Sequence, residues 1–206
     1  MVTASSMIQK RMMHKGLAVQ SFETKAQWSR WLAAKRASSK GIWLKFYRKG
    51  SGHQTVSKAE AVEVALSHGW IDGQLDSFDE TAWLTRFTPR TSKSKWSEIN
   101  RKTAERLIKA KAMTVAGLEQ VKRAKADGRW DAAYASQGTA TVPDDLAAAL
   151  DASPKARAFF AKLNSANRYA ILYRTHAAKK PETRTARIEK FVAMLERGEV
   201  IHPKKS

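Results

Sequence analysis

A period of two in the side chains of residues 42–47 distinguishes this segment from most of the chain. Its two faces are Ile42, Leu44 and Phe46 on one side, and Trp43, Lys45 and Tyr47 on the other. This alternation predicts a strand. Most other apolar residues recur at helical spacing. The sequence therefore predicts an α+β fold, with a small, mostly antiparallel sheet of three or more strands packed with helices, plus a C-terminal helical unit.

The stretch from Ser57 to Trp96 contains the densest mixture of aromatic, acidic and basic side chains. Ser57 and Glu60 have the spacing of a capping box, and Gly69 suits the left-handed residue that ends a helix. Two strand-like runs follow, 70–75 and 83–88, on either side of an acidic connection. They predict a hairpin with a long loop, which brings Asp72, Arg86 and Arg90 towards one another.

Amino-acid composition and helix-breaking or turn-forming residues divide the chain into three predicted segments. Residues 1–20 are predicted to form a disordered basic tail. Met7, Met12 or Met13 can each be the true start of the protein. Residues 21–140 predict the α+β domain. Gly, Thr and Ala cluster at 137–141 as a linker, and residues 141–206 predict a helical domain with several proline-initiated helices.

The chain has no cysteine. Disulfides, thiolate metal sites and cysteine nucleophiles are therefore excluded, and a reducing, cytoplasmic location is predicted. The start lacks the apolar run of a secretion signal, and no window approaches the ~20 apolar residues of a membrane span. Oligomeric state does not follow from the sequence.

The formal net charge is +19. Residues 1–69 hold 12 basic and 3 acidic residues, whereas residues 70–99 hold 4 and 5. A field of this sign attracts nucleic acid and anionic metabolites. The alternative is that Lys and Arg cover helix surfaces for solubility.

Asp72 is the one candidate for catalysis. It lies between Ile71 and Gly73 beside an aromatic ring, a setting in which a carboxyl group can act as a general acid or base. The structural alternative is that Asp72 accepts backbone hydrogen bonds in a tight turn, or pairs with Arg86.

A ligand site is predicted around the same hairpin. Guanidinium groups bind carboxylate or phosphate in a bidentate manner, and aromatic faces stack on planar rings. The candidate ligand-binding residues are Trp70, Arg86, Arg90, Lys95 and Trp96. Alternatively, the cations cover a solvated sheet face and the aromatic rings belong to the core.

A second cationic group lies near the C-terminus. Lys179, Lys180, Arg184 and Arg187 surround a helix start, where backbone N–H groups favour an anion. The alternative is that the two arginines pair with neighbouring carboxylates and hold the fold together. The five histidines have no ligand spacing, so no metal site is predicted, and no cofactor fingerprint is present.

Several motifs in combination resemble the YdeI/OmpD-associated family, also called bacteriocin-protection proteins. They are Gly69-Trp-Ile-Asp-Gly73, Arg86-Phe-Thr-Pro-Arg90, Ser94-Lys-Trp-Ser97 and Ala178-Lys-Lys-Pro-Glu-Thr-Arg184. The resemblance runs from about Phe22 to His202. It implies a bacterial protein with a helical C-terminal region and a link to stress and antimicrobial-peptide tolerance, and it implies no reaction and no catalytic residues.

Three functions remain open from the sequence. The first is a stress-tolerance protein that binds a small anionic ligand between Trp70 and Trp96. The second is a nucleic-acid-binding protein that uses its basic surface. The third is an enzyme with Asp72 as acid or base.

Overall fold

The computed structural model describes residues 12–35 and 38–203. They divide into two compact units: the residues up to Trp96 together with Asn100–Ala132, and Ser97–Ile99 together with the residues from Ala133 onward. Among the described residues, no helix is long and apolar enough to cross a membrane.

The first unit is built on a five-stranded sheet. Its strands are β1 (Met13–His14), β2 (Leu17–Gln20), β3 (Ile42–Tyr47), β4 (Trp70–Ser77) and β5 (Ala82–Pro89), in the order β1-β2-β3-β5-β4. Every neighbouring pair is antiparallel except β2 and β3, which are parallel. The predicted α+β fold with a mostly antiparallel sheet is confirmed.

One face of this sheet packs on α1 (Lys25–Lys35) and α2 (Lys58–Ser67). The alternation in β3 sends Ile42, Leu44 and Phe46 into this core, where all three are fully buried. Trp28 of α1 joins the two helices, because its indole N–H donates to the Ala61 carbonyl at 3.1 Å. The period of two therefore decides which side chains form the core.

Local capping explains where α2 begins and ends. Ser57 and Glu60 form the predicted capping box, and Gly69 follows the helix with φ at +76°. The end of α2 lies against the start of α4 (Val115–Ala126), where Thr114 Oγ1 donates to the Ser67 carbonyl at 2.7 Å. A Cβ added at Gly117 would lie 2.4 Å from that carbonyl oxygen, so only glycine permits this approach.

Two features of the sheet differ from the sequence-based expectation. The hairpin strands are longer than predicted, so that Asp76 belongs to β4 and only residues 78–81 form the loop. Residues 13–20, predicted as part of a disordered tail, form β1 and β2. β1 and β2 pair with each other locally, and β2 joins the sheet by pairing with β3, more than twenty residues along the chain. No local sequence pattern predicts this second pairing, and residues 1–11 of the predicted tail lie outside the described residues.

The remaining helix of the N-terminal region is α3 (Glu98–Lys109). The second unit contains α5 (Asp144–Asp151), α6 (Pro154–Lys162), α7 (Ser165–His176) and α8 (Pro181–Glu196). Proline begins α6 and α8 as predicted, whereas Pro143 precedes α5 as its N-cap residue, and Asn164 caps α7. The core of this unit includes Leu146, Ile171, Phe191 and Leu195.

Candidate functional site

The two tryptophans of the predicted ligand site are buried. Trp70 is 1% exposed and meets Trp31 edge to face at a centroid distance of 5.8 Å. Trp96 is also 1% exposed and packs against Trp130 at 4.8 Å. Both rings therefore belong to packed aromatic clusters and do not offer a stacking surface to a ligand.

Arg90 is buried beside Trp96. Its guanidinium lies 3.7 Å from the centroid of the Trp96 ring, and Nη1 donates to the Lys95 carbonyl at 3.2 Å. The Arg90 backbone N–H donates to the Gly69 carbonyl at 2.9 Å, which ties the end of β5 to the end of α2. Cation–π contact in a desolvated setting stabilises this corner of the fold.

Asp72 and Arg86 point to opposite faces of the sheet. Asp72 is paired with Phe87 in the β4–β5 register and so points to the core face, while Arg86 is one residue earlier on β5. The carboxylate of Asp72 accepts from Lys58 Nζ at 3.0 Å, at the start of α2. The predicted convergence with Arg86 does not occur, and the role of Asp72 as an acid or base stays a prediction.

Arg86 lies on the sheet face turned away from α1 and α2. We call this surface the second sheet face; it is formed by Trp43, Lys45, Tyr47, Leu84 and Arg86. Arg86 is exposed and pairs across the ladder with Trp43. No hydrogen bond or ion pair within the described part of the chain engages its guanidinium. Arg86 is thus an exposed cation above the buried side chains of Trp43 and Leu84. Lys95, which is also exposed, lies outside this face.

The β1–β2 hairpin covers one part of the second sheet face. The His14 ring meets Trp43 edge to face at 4.9 Å, and His14 Nε2 lies 2.9 Å from Asp76 Oδ2 on β4. Lys15 Nζ donates to the same oxygen at 2.5 Å. The Lys15 hydrogen bond, followed by that of His14, lowers the pKa of Asp76 from 3.8 to about 2. Asp76 therefore holds the hairpin on the sheet as a carboxylate.

Aromatic rings and cations meet again at the far end of β3. Tyr47 and His53 are stacked with centroids 4.3 Å apart, and Lys45 Nζ lies 4.3 Å from the Tyr47 centroid. Arg48 follows Tyr47 and lies 5.9 Å from the centroid of Trp83. This arrangement brings cations next to rings that are only partly buried, in contrast to the fully buried rings of Trp70 and Trp96.

The C-terminal cations are divided between contacts that hold the fold and exposed side chains. Arg184 Nη2 donates to Asp145 Oδ1 at 2.8 Å and Nη1 donates to the Thr175 carbonyl at 2.9 Å. Arg187 Nη1 donates to the Arg174 carbonyl at 2.6 Å. Lys179 and Lys180 are exposed. The Arg184–Asp145 pair is a carboxylate contact of the kind the structural alternative expected, whereas Arg187 contacts a backbone carbonyl, and an anion site here stays a prediction.

A cleft of about 260 Å³ lies between α1 and α2 in the first unit. Lys25, Ser29 and Ser67 line it, and Ser29 Oγ lies 2.8 Å from His68 Nε2. Glu63, also on the wall, pairs with Arg106. His68, the C-cap residue of α2, is buried in this contact.

A larger cavity, of about 290 Å³, lies within the second unit. We call it the tyrosine cavity; its walls include Glu98, Tyr134, Tyr169, Leu172, Tyr173 and His176. Tyr169 donates its hydroxyl hydrogen to the Ala135 carbonyl at 2.9 Å, and burial raises its pKa, with smaller contributions from Tyr134 and Tyr173. Tyr169, Leu172, Tyr173 and His176 recur at helical spacing and so share one face of α7. Tyr134 comes from a separate, irregular segment, and no sequence pattern connects it with α7.

Two family models match the chain. Residues 139–198 match the model described as "Bacteriocin-protection, YdeI or OmpD-Associated". Residues 20–120 match a model described as "Domain of unknown function (DUF8412)". No curated protein and no solved structure matched the chain in the corresponding comparisons.

The two family models match different motifs of the resemblance described above. The Lys-Pro-Glu-Thr-Arg signature at 180–184 lies inside the first match, so the resemblance is confirmed there. The motifs between Gly69 and Ser97 lie inside the match to the domain of unknown function. The C-terminal part of this chain, residues 139–198, is thus similar to the bacteriocin-protection, YdeI or OmpD-associated family.

Proposed function

We propose that this protein is a binding module for a small anionic ligand, and that the ligand binds on the second sheet face around Arg86. The observation that carries the proposal is the exposed guanidinium of Arg86, which has no hydrogen-bond or ion-pair partner among the described residues. An exposed guanidinium without such a partner can donate two parallel N–H hydrogen bonds to a carboxylate or phosphate.

A second cation lies close to Arg86. Arg86 is opposite Trp43 and Leu84 is opposite Lys45, so Arg86 and Lys45 are diagonal neighbours on one face. Diagonal neighbours across an antiparallel pair lie about 7–8 Å apart, which long side chains can bridge. One phosphate or carboxylate group between them would contact both cations.

This site retains part of the arrangement that the sequence predicted. Arg86 stays as the anion contact, whereas Trp70, Arg90 and Trp96 are buried and would support the fold around it. The planar partner for a ligand ring would be Tyr47, which is half-buried and lies on the same face. A small phosphate-bearing ligand with a planar ring combines both requirements.

The experiment is a calorimetric titration of the full chain with inorganic phosphate and with adenosine monophosphate. Arg86→Gln and Lys45→Gln should each weaken binding about tenfold or more, since each removes a charge-assisted hydrogen bond. The matched control is Lys102→Gln, a charge loss at an exposed position of α3. Equal affinity in the Arg86 and Lys102 variants would contradict the proposal.

Single-stranded nucleic acid is a second candidate ligand, favoured by the Tyr47–His53 stack and the cations that adjoin it. Exposed rings stack on bases, while Lys and Arg contact phosphates. Anisotropy titrations with a labelled oligonucleotide at two salt concentrations test this candidate. Affinity should fall with a log–log slope of about −0.7 per phosphate contact, and an affinity that does not change with salt would exclude it.

The family match supports a role in tolerance of antimicrobial peptides. The net charge of +19 bears on how such a role would work. A strongly positive surface repels cationic peptides. Protection would therefore act through the bound anionic ligand rather than through capture of the peptide.

A further inference from the structure

The tyrosine cavity shares no residue with the second sheet face. Most of its wall lies at residues 139–176, inside the family match, and the rest comes from residues 133–135 and from Glu98, which lies in the match to the domain of unknown function. Its volume of about 290 Å³ is close to the lower limit of ligand pockets, which span about 300–1,000 Å³. An occupant must therefore be small.

The tyrosine rings form a concave corner. Tyr134 and Tyr173 are nearly perpendicular, at 86°, with their centroids 5.1 Å apart. Tyr169 lies 6.0 Å from Tyr173 at 42°. The hydrogen bond from Tyr169 to the Ala135 carbonyl restrains one wall. Because the tyrosine rings lie at different angles, they present several electron-rich surfaces to one small ligand group. Parallel rings would instead suit a planar ligand ring.

The charge of the lining is opposite to that of the chain. No lysine or arginine in the described part of the chain lines the cavity, although the protein contains 38 of them. The one acidic residue on the wall is Glu98, in the first turn of α3. His176, at the end of α7, is an exposed wall residue. A wall with one acidic residue, three tyrosines and no lysine or arginine is a lining that suits a positive charge.

We infer that the tyrosine cavity binds a small organic cation of the quaternary or tertiary ammonium class. The faces of aromatic rings attract such cations through the ring quadrupole, and methylated ammonium groups lose little hydration when they enter an aromatic corner. Glu98 supplies the countercharge. A small anion has no cation on the wall to bind it, so the cavity is not a second copy of the proposed anion site.

The positive field of the whole protein opposes this ligand at long range. At physiological ionic strength the field is screened beyond about 8 Å, so the lining decides affinity at contact. The sign of the salt effect follows. Added salt should leave the affinity for the cation unchanged or raise it, whereas it should weaken anion binding at Arg86.

The test compares two ligands of the same shape on the full chain. One is choline, and the other is its neutral analogue, in which a tert-butyl group replaces the trimethylammonium group. Titration followed by NMR or calorimetry should give an affinity for choline at least about tenfold higher. Tetramethylammonium and benzyltrimethylammonium extend the series to a smaller and a larger cation.

Variants separate the ring faces from the hydroxyls. Tyr173→Leu should abolish choline binding, while Tyr173→Phe retains the ring and should retain most of it. Glu98→Gln should weaken choline binding and leave the neutral analogue unaffected. Tyr47→Leu, on the second sheet face, is the matched control and should bind choline as the unchanged protein does.

Three results would overturn the inference: equal affinity for choline and its neutral analogue, no binding of any of the three cations at millimolar concentration, or unchanged binding in Tyr173→Leu. If Tyr173→Leu fails to fold, Tyr173→Phe and Glu98→Gln still decide the outcome. The proposed anion site is tested independently of the tyrosine cavity, because its titrations use phosphate ligands and the Arg86 variant.

Discussion

Arg184 and Asp145 form a two-point contact between α8 and α5. Nη2 of Arg184 donates to Oδ1 of Asp145 at 2.8 Å, and Nε donates to Oδ2. Nη1 of the same guanidinium donates to the Thr175 carbonyl near the end of α7. One side chain of the Lys-Pro-Glu-Thr-Arg signature therefore connects three helices of the C-terminal domain, which is a structural reason for an arginine at this position.

Arg184→Gln should destabilise the protein by about 1–2 kcal/mol at pH 7, because it breaks the bidentate contact with Asp145 and removes one of the hydrogen bonds to the Thr175 carbonyl, which keeps its bond from the Ala178 N–H. The partial exposure of both side chains keeps the effect below that of a buried pair. Arg184→Lys should lose nearly as much, since an ammonium group lacks the planar fork. Urea denaturation of the full chain measures both.

This effect should depend on pH. The Arg184 hydrogen bond lowers the pKa of Asp145 in the folded protein. The stabilisation is then fully present above the ordinary carboxyl pKa of 3.8 and is lost as the pH falls through the lowered value. The difference between the unchanged protein and Arg184→Gln should shrink below about pH 4. A difference that stays constant from pH 7 to pH 3 would argue against the ion pair.

The same substitution to glutamine should destabilise the protein at Arg90 far more than at Arg86. Arg90→Gln removes a buried guanidinium from the Trp96 ring and should cost about 2–3 kcal/mol of unfolding free energy. Arg86→Gln changes an exposed side chain and should cost less than about 0.5 kcal/mol. Denaturation curves of the two variants, measured beside the titrations of the proposed site, separate a fold-holding arginine from a ligand-binding one.

Gly117→Ala should destabilise the protein although it raises helix propensity. In an open helix the change would stabilise by about 1 kcal/mol. Here the new Cβ would lie 2.4 Å from the Ser67 carbonyl oxygen, and overpacking should cost about 1–3 kcal/mol instead. Gly138→Ala is the matched control, because nothing lies within 4 Å of the added atom. A more stable Gly117→Ala variant would mean that the end of α2 can move away from α4.

Asp76→Asn should loosen the β1–β2 hairpin at neutral pH. The indole N–H resonance of Trp43, which His14 covers, should shift in the NMR spectrum as the cover is lost. With a folded pKa of about 2, the contribution of Asp76 is present above 3.8 and disappears as the pH falls towards 2. The same shift should therefore occur in the unchanged protein near pH 2.

Asp79→Asn is the control for this substitution. Its carboxylate accepts from Thr81 within the loop and does not contact the hairpin. If the Asp79 and Asp76 variants shift the Trp43 resonance equally, the effect comes from net charge and not from the contact with His14 and Lys15.

Part of the fold follows from interactions among residues close in sequence. The capping box at Ser57 and Glu60, the alternation in 42–47 and the prolines that begin α6 and α8 each depend on a few neighbouring residues. Their backbone geometry is set locally, and the sequence predicted them. The composition likewise excluded disulfides, because the chain has no cysteine.

The candidate sites depended on pairings between distant residues. Sequence alternation marked Arg86 and Arg90 as alike, and only packing made one exposed and buried the other beneath Trp96. Tyr134 meets Tyr173 although 39 positions separate them. Side-chain spacing along one element repeats every two or 3.6 residues, so it predicts which residues share a face. Which elements cover that face, and so which side chains stay accessible to a ligand, is decided by the tertiary structure alone.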